Sequence, residues 1–294
     1  MAGSAGVPRK SAPVNRPAVD VAKKAASNRW KAHGYSTLGA LTLLGLWWLA
    51  SLYQPTEFVL IPSPTVVAER MWGFVVGDPT RNVEPGWVFI NFWETMRKTL
   101  YGFAGAVALG IPIGILMGRY RYAKHFFFDL IYITANVPLI VYAILALIVF
   151  GLGDTGPAVV VALMVLPSIT LNVAAGVEGV DRGLLTMSRA YDRPTREALQ
   201  HIVFPSFYPY LFAAVRNSFA SSWKLAALTE TFAGVTGVGV QIRKAFQGFA
   251  TADMIAWMLF FAVFVVAIER GALMPLERWV FRYRLKRGED VLRF

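Results

Sequence analysis

The stretch SRAYDRPTREALQHIVFP, residues 188–205, holds Arg189, Asp192, Arg193, Arg196 and Glu197 within a few turns of chain, while the sequence on both sides is almost uninterruptedly apolar. A charged segment between two long apolar runs is the pattern of a loop between membrane spans, and reading outward from it settles the class of fold. Hydrophobic residues make up 56% of the 294-residue chain and charged residues only 16%. With a mean hydropathy of +0.49, that balance lies far from the soluble average.

Six runs are long and apolar enough to cross a bilayer, for which about 20 residues at ~1.5 Å rise match a ~30 Å hydrocarbon core. They lie at 35–53, 99–118, 126–150, 157–177, 208–228 and 254–273. The fifth is unusual in holding Arg216 and Lys224 well inside it. The expected fold is therefore an all-α membrane protein with six transmembrane helices. Lys and Arg favour the cytoplasmic side of a membrane. Before the first run stand Arg9, Lys10, Arg16, Lys23, Lys24, Arg29 and Lys31 against the single acid Asp20, so the N-terminus is expected to be cytoplasmic. Alternation then places Arg119, Arg121 and Lys124, the island at 178–207, and the basic C-terminal end on the same side, with Arg97 and Lys98 at the outer interface. The first run is too long for a signal-peptide core and lacks a small-residue cleavage site, so it is expected to remain as an anchor.

The chain divides into a basic disordered tail at 1–34, a first span with an external amphipathic segment at 35–98, a core at 99–275 carrying the internal loop 178–207, and a basic tail at 276–294. The net charge of +11 is explained by these flanks rather than by nucleic-acid binding. Cysteine is absent, which excludes disulfides and thiol chemistry. No P-loop of the form GxxxxGK[ST] occurs; GVTGVGV has glycines without the following Lys-Ser. His33, His125 and His201 are scattered without metal-ligand spacing. No catalytic constellation and no metal site are expected.

Within the island, Leu184, Leu185 and Met187 suit one short helix, and Ala198, Leu199, Ile202 and Val203 a second. Asp192 stands at the join, where a residue tolerant of left-handed backbone is needed. Pro194 suits a first helical turn, and Pro205 is expected to end the second helix. A short exposed helix of this kind either docks into a groove on a partner or is merely a solvated loop.

The stretch resembles the cytoplasmic coupling loop of ATP-binding-cassette importer permeases, in the branch that serves nitrate, taurine and aliphatic sulfonates. The likeness extends through LIPSPTVVAERM, LYGFAGAVALGIPIGILMG, NVPLIVYAILALIVFGLGDTG, GVEGVDRGLL, PYLFAAVRNSFASSWKLAALTE and GVGVQI, in order from about residue 59 to 283. One departure is Asp192, where the family usually has glycine. The resemblance implies a type I (MetI-like) permease core in the bacterial inner membrane. Its implied partners are cytoplasmic ATPase subunits that hold ATP and Mg, an extracytoplasmic solute-binding protein and a second permease copy, with no cofactor bound by this chain. It further implies that Arg189, Ala190, Tyr191, Asp192, Arg193, Pro194, Glu197, Leu199, Phe204 and Pro205 couple to the ATPase. The proline-broken segment at Pro62 and Pro64, with residues 234–241, would form part of a platform for the binding protein.

Charged and polar side chains inside a span are costly and therefore candidates for a solute path. On a helix Lys224 shares a face with Asn217, Ser221 and Thr231, with Arg216 and Trp223 at its flank. Asn136 and Asn172 join them as candidates, beside Ser168 and Thr170. Positive charge with amide and hydroxyl donors suits a small anion. The alternatives are that Lys224 pairs with Glu230, that Arg216 braces the loop, and that the amides and hydroxyls only join helices. Gly110, Gly114 and Gly118, four residues apart, read as a close-packing face. At the level of the whole chain, the alternatives to an ATP-driven importer are an ion-coupled secondary transporter or channel, for which no inverted hydropathy repeat is visible, and a membrane enzyme.

Overall fold

The structure, a computed structural model, describes residues 35, 37–53 and 61–276. The expectations for the tails at 1–34 and 276–294 concern residues outside that set, apart from Leu276. The chain forms two compact units, residues 1–64 and 65–294. In the first, α1 (Thr37–Leu52) is an apolar helix whose Leu41, Leu43, Leu46 and Leu49 are exposed. The indole of Trp47 donates to the Pro62 carbonyl at 3.0 Å.

The second unit runs α2 (Pro64–Val76), a 3-10 turn (Pro79–Arg81), α3 (Trp87–Arg119), α4 (Arg121–Asn136), α5 (Leu139–Phe150), α6 (Thr155–Glu178), α7 (Arg182–Ala190), α8 (Thr195–Ala198), a π turn (Leu199–Val203), α9 (Phe204–Ala233), α10 (Val238–Gln247), α11 (Thr251–Ile268) and a second π turn (Glu269–Leu273). Among the described residues, three helices are long and apolar enough to cross a membrane, and two bent pairs, α4 with α5 and α8–α9 with α10, pass the same test together.

Small residues make the central contact. Gly102, Ala106, Gly110, Gly114 and Gly118 recur every four residues along α3 and face α6, the packing that a small-xxx-small stripe permits. A Cβ at Gly102 would lie 2.3 Å from the Ala158 carbonyl oxygen, and one at Gly114 would lie 2.7 Å from that of Thr170. The facing residues on α6, Val161, Ile169 and Val173, are themselves fully buried, so β-branched side chains fill the space that the glycines leave. Gly102 meets α6 near its start and Gly118 near its end, which makes α3 and α6 parallel. Helix α9 runs the other way: Gly176 lies against Tyr210, Ser218 donates to Ser168 at 3.1 Å, and Gly153 N–H donates to the Ala233 carbonyl at 2.9 Å.

Three expectations are corrected. The run 126–150 is not one helix: α4 and α5 meet at 94°, because Val137 is extended (ψ 130°) ahead of Pro138, as sterics before a proline demand. Hydropathy does not register that break. Helix α3 begins at Trp87 rather than near residue 99, which carries Arg97 and Lys98 into the helix instead of leaving them at its edge. Pro205 does not end a helix either, since it sits in the first turn of α9. The widened turn Leu199–Val203, in which Phe204 N–H reaches the Leu199 carbonyl, carries the chain past a residue that has no N–H to give.

Candidate functional site

The loop end of the bundle is where α3 and α6 finish and α9 begins. Helix α7 closes with a complete Schellman turn: Asp192 N–H donates to Arg189 O at 3.0 Å and Arg193 N–H to Ser188 O at 3.0 Å, with Asp192 left-handed at φ 49°. Asp is among the few non-glycine residues that adopt this conformation readily. The turn leaves Arg189, Ala190, Tyr191, Asp192, Arg193 and Pro194 exposed, along with Leu199, Phe204 and Pro205 beyond it, while Glu197 is half-buried. Behind the two short helices lies a cleft of about 320 Å³ walled by Val180, Leu185, Leu199, Phe204 and Phe207, with Arg119 and Glu178 at its edge. The ion pairs at this end are exposed: Lys124 to Glu178 at 2.7 Å and Arg193 to Glu197 at 3.6 Å.

The intramembrane polar candidates divide. Asn217, Ser221 and Lys224 form one exposed stripe on α9, and Ser168 and Asn172 an exposed pair on the packed α6. Ser168 receives the bond from Ser218 that joins the two helices. The amide of Asn172 donates to its own helix at Ser168 O, 2.7 Å away, and the hydroxyl of Ser221 to Asn217 O at 3.1 Å. Lys224 makes no hydrogen bond or ion pair to any described residue, and Glu230 does not face it. Trp223 is off the stripe, 1% exposed and held edge-on by Phe219 and Phe264 at 5.8 and 5.4 Å. Arg216 is half-buried. Asn136 stands at the α4–α5 bend and donates to Tyr132 O at 2.7 Å. Among the described residues no group of three or more His, Asp or Glu side chains converges as a metal site.

At the opposite end is a constellation that sequence reasoning missed. Lys98 and Glu230 are 1% and 0% exposed and pair at 3.1 Å. The Glu230 carboxylate also accepts from Thr95 Oγ1 at 2.9 Å and from Gly239 N–H at 3.0 Å, which places a negative charge on the N-terminus of α10, where the helix dipole favours it. Lys98 further donates to the Thr236 carbonyl and hydroxyl and meets Asp154 at 3.2 Å, and Arg97 meets Asp154 at 2.5 Å. The turn between α9 and α10 must come very close to make these contacts. Gly237 is left-handed at φ 109°, and a Cβ there would lie 2.4 Å from Glu230 Oε1. The one local signal was the glycine pair of GVGV. Arg243 then caps the C-terminal end of α9, donating to Thr231 O, Phe232 O and Gly234 O. Beside it, Arg81 forks onto Asp253, which raises the guanidinium pKa, while the Thr80 hydroxyl at 2.6 Å holds the Asp78 carboxyl below its ordinary value.

Glycine-packed helices with a charged loop at one end make up this fold. It matches a chain of the structure titled "Inward facing conformations of the MetNI methionine ABC transporter" with a TM-score of 0.51 and 19% identity, over 63% of this chain and 93% of that one. The sequence profile of the family described as "Binding-protein-dependent transport system inner membrane component" matches residues 110–269, and the chain belongs to that family. Among its relatives, the taurine transport system permease protein TauC of Escherichia coli K12 is 23% identical over 85% of this chain and 90% of its own length. The nitrate import permease protein NrtB of Synechocystis is 21% identical over 71% and 77%. The bicarbonate transport system permease protein CmpB of Synechococcus elongatus is 24% identical over 65% and 70%. The chain is thus a multi-pass permease component of an importer, and ATP hydrolysis belongs to a separate subunit.

Proposed function

We propose that two copies of this chain, each crossing the inner membrane six times with both termini in the cytoplasm, import a small oxygen-bearing anion by alternating access. Cytoplasmic ATPase subunits dock on residues 189–205, with ATP and Mg bound there, and an extracytoplasmic protein delivers the solute. The observation that carries the solute class is Lys224. It lies about two and a half turns from the end of α9, in an apolar stretch, with no counter-charge among the described residues. An unpaired ammonium is not stable against lipid, so it faces water or a solute. Asn217 and Ser221 on α9, with Ser168 and Asn172 on α6, set amide and hydroxyl groups along the same wall, the partners that a small oxyanion needs. The solutes named for the relatives, taurine, nitrate and bicarbonate, all carry such a group. Trp223 is buried away from this wall, while Arg216 and exposed Asn136 remain outlying candidates for the path.

The test is uptake by the reconstituted complex carrying Lys224→Met or Lys224→Ala, with assembly checked by co-purification of the ATPase. Uptake is expected to fall at least tenfold with assembly intact. Unchanged transport kinetics in both variants would falsify the solute-path role. A permease that transports with no ATPase attached would instead be an ion-coupled carrier, and disrupting residues 191–199 would then leave uptake untouched.

A further inference from the structure

Among the described residues, three that are not glycine are left-handed: Asn82 at φ 54°, Asp192 at φ 49° and Phe249 at φ 52°. Asn and Asp reach this region cheaply through their short polar side chains, whereas for a bulky residue it is an outlier. Phe249 completes a Schellman turn at the end of α10, in which Phe249 N–H donates to Phe246 O at 3.1 Å and Ala250 N–H to Ala245 O at 2.9 Å. The residue that such a turn prefers at this position is glycine. A glycine stands one place earlier, Gly248, at an ordinary φ of −86°.

The strained backbone does not serve to bury the ring. Phe249 is 89% exposed and Phe246 beside it 68%, so the turn holds two phenyl groups out from the molecule at a conformational cost. Strain of this kind persists where the displayed side chain has a use. Immediately after the turn, Asp253 in the first turn of α11 gathers Arg81 and Arg70. Along the chain, Asp253 with these arginines stands between the rings and the apolar run that starts at Met254. The aromatic belt at a membrane interface is built from Trp and Tyr, whose polar edges meet water; Phe has no such edge, and a displayed Phe pair beside charged groups suits a protein partner. Lys244, exposed and unpaired among the described residues, borders with Arg81 a cavity of about 300 Å³ next to the turn.

We propose that Phe249, supported by Phe246, is the anchor by which the extracytoplasmic binding protein seats on this end of the permease. The partner's surface would present an apolar pocket for the ring and an acidic group for Lys244. This rests on the orientation given under Proposed function, in which the α10–α11 end faces outward. Buried aromatic anchors carry most of the binding energy of an interface, and a rigid, prepositioned ring loses little freedom on docking.

The experiment uses the full permease–ATPase complex in phosphatidylethanolamine–phosphatidylglycerol nanodiscs and the binding protein that stimulates ATP hydrolysis by the wild-type complex. Phe249→Gly and Phe249→Asn should melt at or slightly above the wild-type temperature, because the strain is relieved. Their half-maximal binding-protein concentration should rise about 30-fold with maximal stimulation unchanged, and Phe249→Trp should recover most of the loss. An unchanged half-maximal concentration in the glycine and asparagine variants overturns the proposal, and a lowered melting temperature overturns its strain premise. Because the chain has no cysteine, Phe249→Cys carries a polarity-sensitive maleimide dye at a single position. Emission that shifts only when the binding protein is added supports docking, whereas emission already shifted in the nanodisc and quenched by brominated lipid assigns the ring to the membrane and overturns the protein partner. If no binding protein stimulates the wild-type complex, the proposed function itself fails and the anchor fails with it, an outcome distinct from a stimulated wild type with unaffected variants.

Discussion

The two ends of the helical unit hold themselves together in opposite ways. At the α9–α10 end the ion pair is sealed, with Lys98 and Glu230 exposed by 1% and 0%, while at the loop end Lys124 and Glu178 are 44% and 40% exposed. A sealed pair contributes little net stability relative to apolar residues of the same shape, but removing one partner strands the other's charge. An exposed pair does little in either direction. One end is therefore fixed internally, by a charge that tolerates no change in the position of α10. The other end keeps two short helices, a cleft behind them and largely exposed side chains such as Tyr191 and Phe204. The difference is what a transporter requires if force enters at the loop end and is resisted at the other.

The largest expected effect comes from breaking the sealed end. Glu230→Ala leaves buried Lys98 with a single, part-exposed counter-charge in Asp154 and with Thr236, together with an uncapped Gly239 N–H, and should cost about 3 kcal/mol, the low end for breaking a buried pair. Loss of the monodisperse permease in detergent, or a collapse of its melting temperature, is the readout. The double variant Lys98→Met with Glu230→Leu should recover much of the loss, since no isolated charge remains. A double variant no better than the single one would show that the pair's hydrogen bonds to the α10 turn matter more than its charge.

Next in size is Gly239→Ala. Its Cβ would lie 1.9 Å from the Ala227 carbonyl oxygen, a backbone atom that cannot rotate away, so α10 must shift away from α9. Overpacking of this kind costs about 1–3 kcal/mol. Because Glu230 is bonded to the same N–H, a thermal-shift cycle with Glu230→Gln should show non-additivity, and simple additivity would separate the turn from the ion pair.

Much of the architecture was legible in the sequence because its causes are local. The apolar runs, the four-residue glycine repeat and the bend at Asp192 each follow from residues within a few turns of one another. The missing parts depend on contacts between distant segments. Lys98 and Glu230 are 132 residues apart, and each was read against its sequence neighbours: Lys98 as an interface charge, Glu230 as a partner for Lys224. The same cause hid the true start of α3, since charges at its beginning look like a boundary until their buried partners are known. Helical spacing placed Trp223 at the flank of Lys224, but spacing cannot tell which side neighbouring helices will cover. The Val137–Pro138 bend is local and was passed over because hydropathy averages across it.

At the loop end the expected effects are smaller. Asp192→Gly should leave the melting temperature nearly unchanged, since glycine accepts φ 49° freely but adds freedom to the unfolded chain. Asp192→Val forces a β-branched residue into the left-handed region and should cost about 1–3 kcal/mol. If the bend matters for docking, the valine variant also loses the co-purifying ATPase while the glycine variant keeps it. Equal association by both would detach the loop's shape from its task.

The smallest effect should come from Lys124→Ala. The pair with Glu178 spans 2.7 Å, a good distance, yet both side chains reach water that screens them and each gives up rotamer freedom to meet the other. Exposed pairs of this type contribute at most about 1 kcal/mol, and the permease alone should melt within a degree or two of wild type at moderate salt. The comparison between the two ends turns on this result. A loss as large as that of Glu230→Ala would mean that the loop end is also held from within, and the cleft behind α7 would then be a rigid wall rather than space in which the short helices move. If the loss is small in the permease alone but ATP-driven uptake falls, the pair acts only under load. In that case Lys124, on α4, ties the helix before the 94° bend to the end of α6, from which the loop departs.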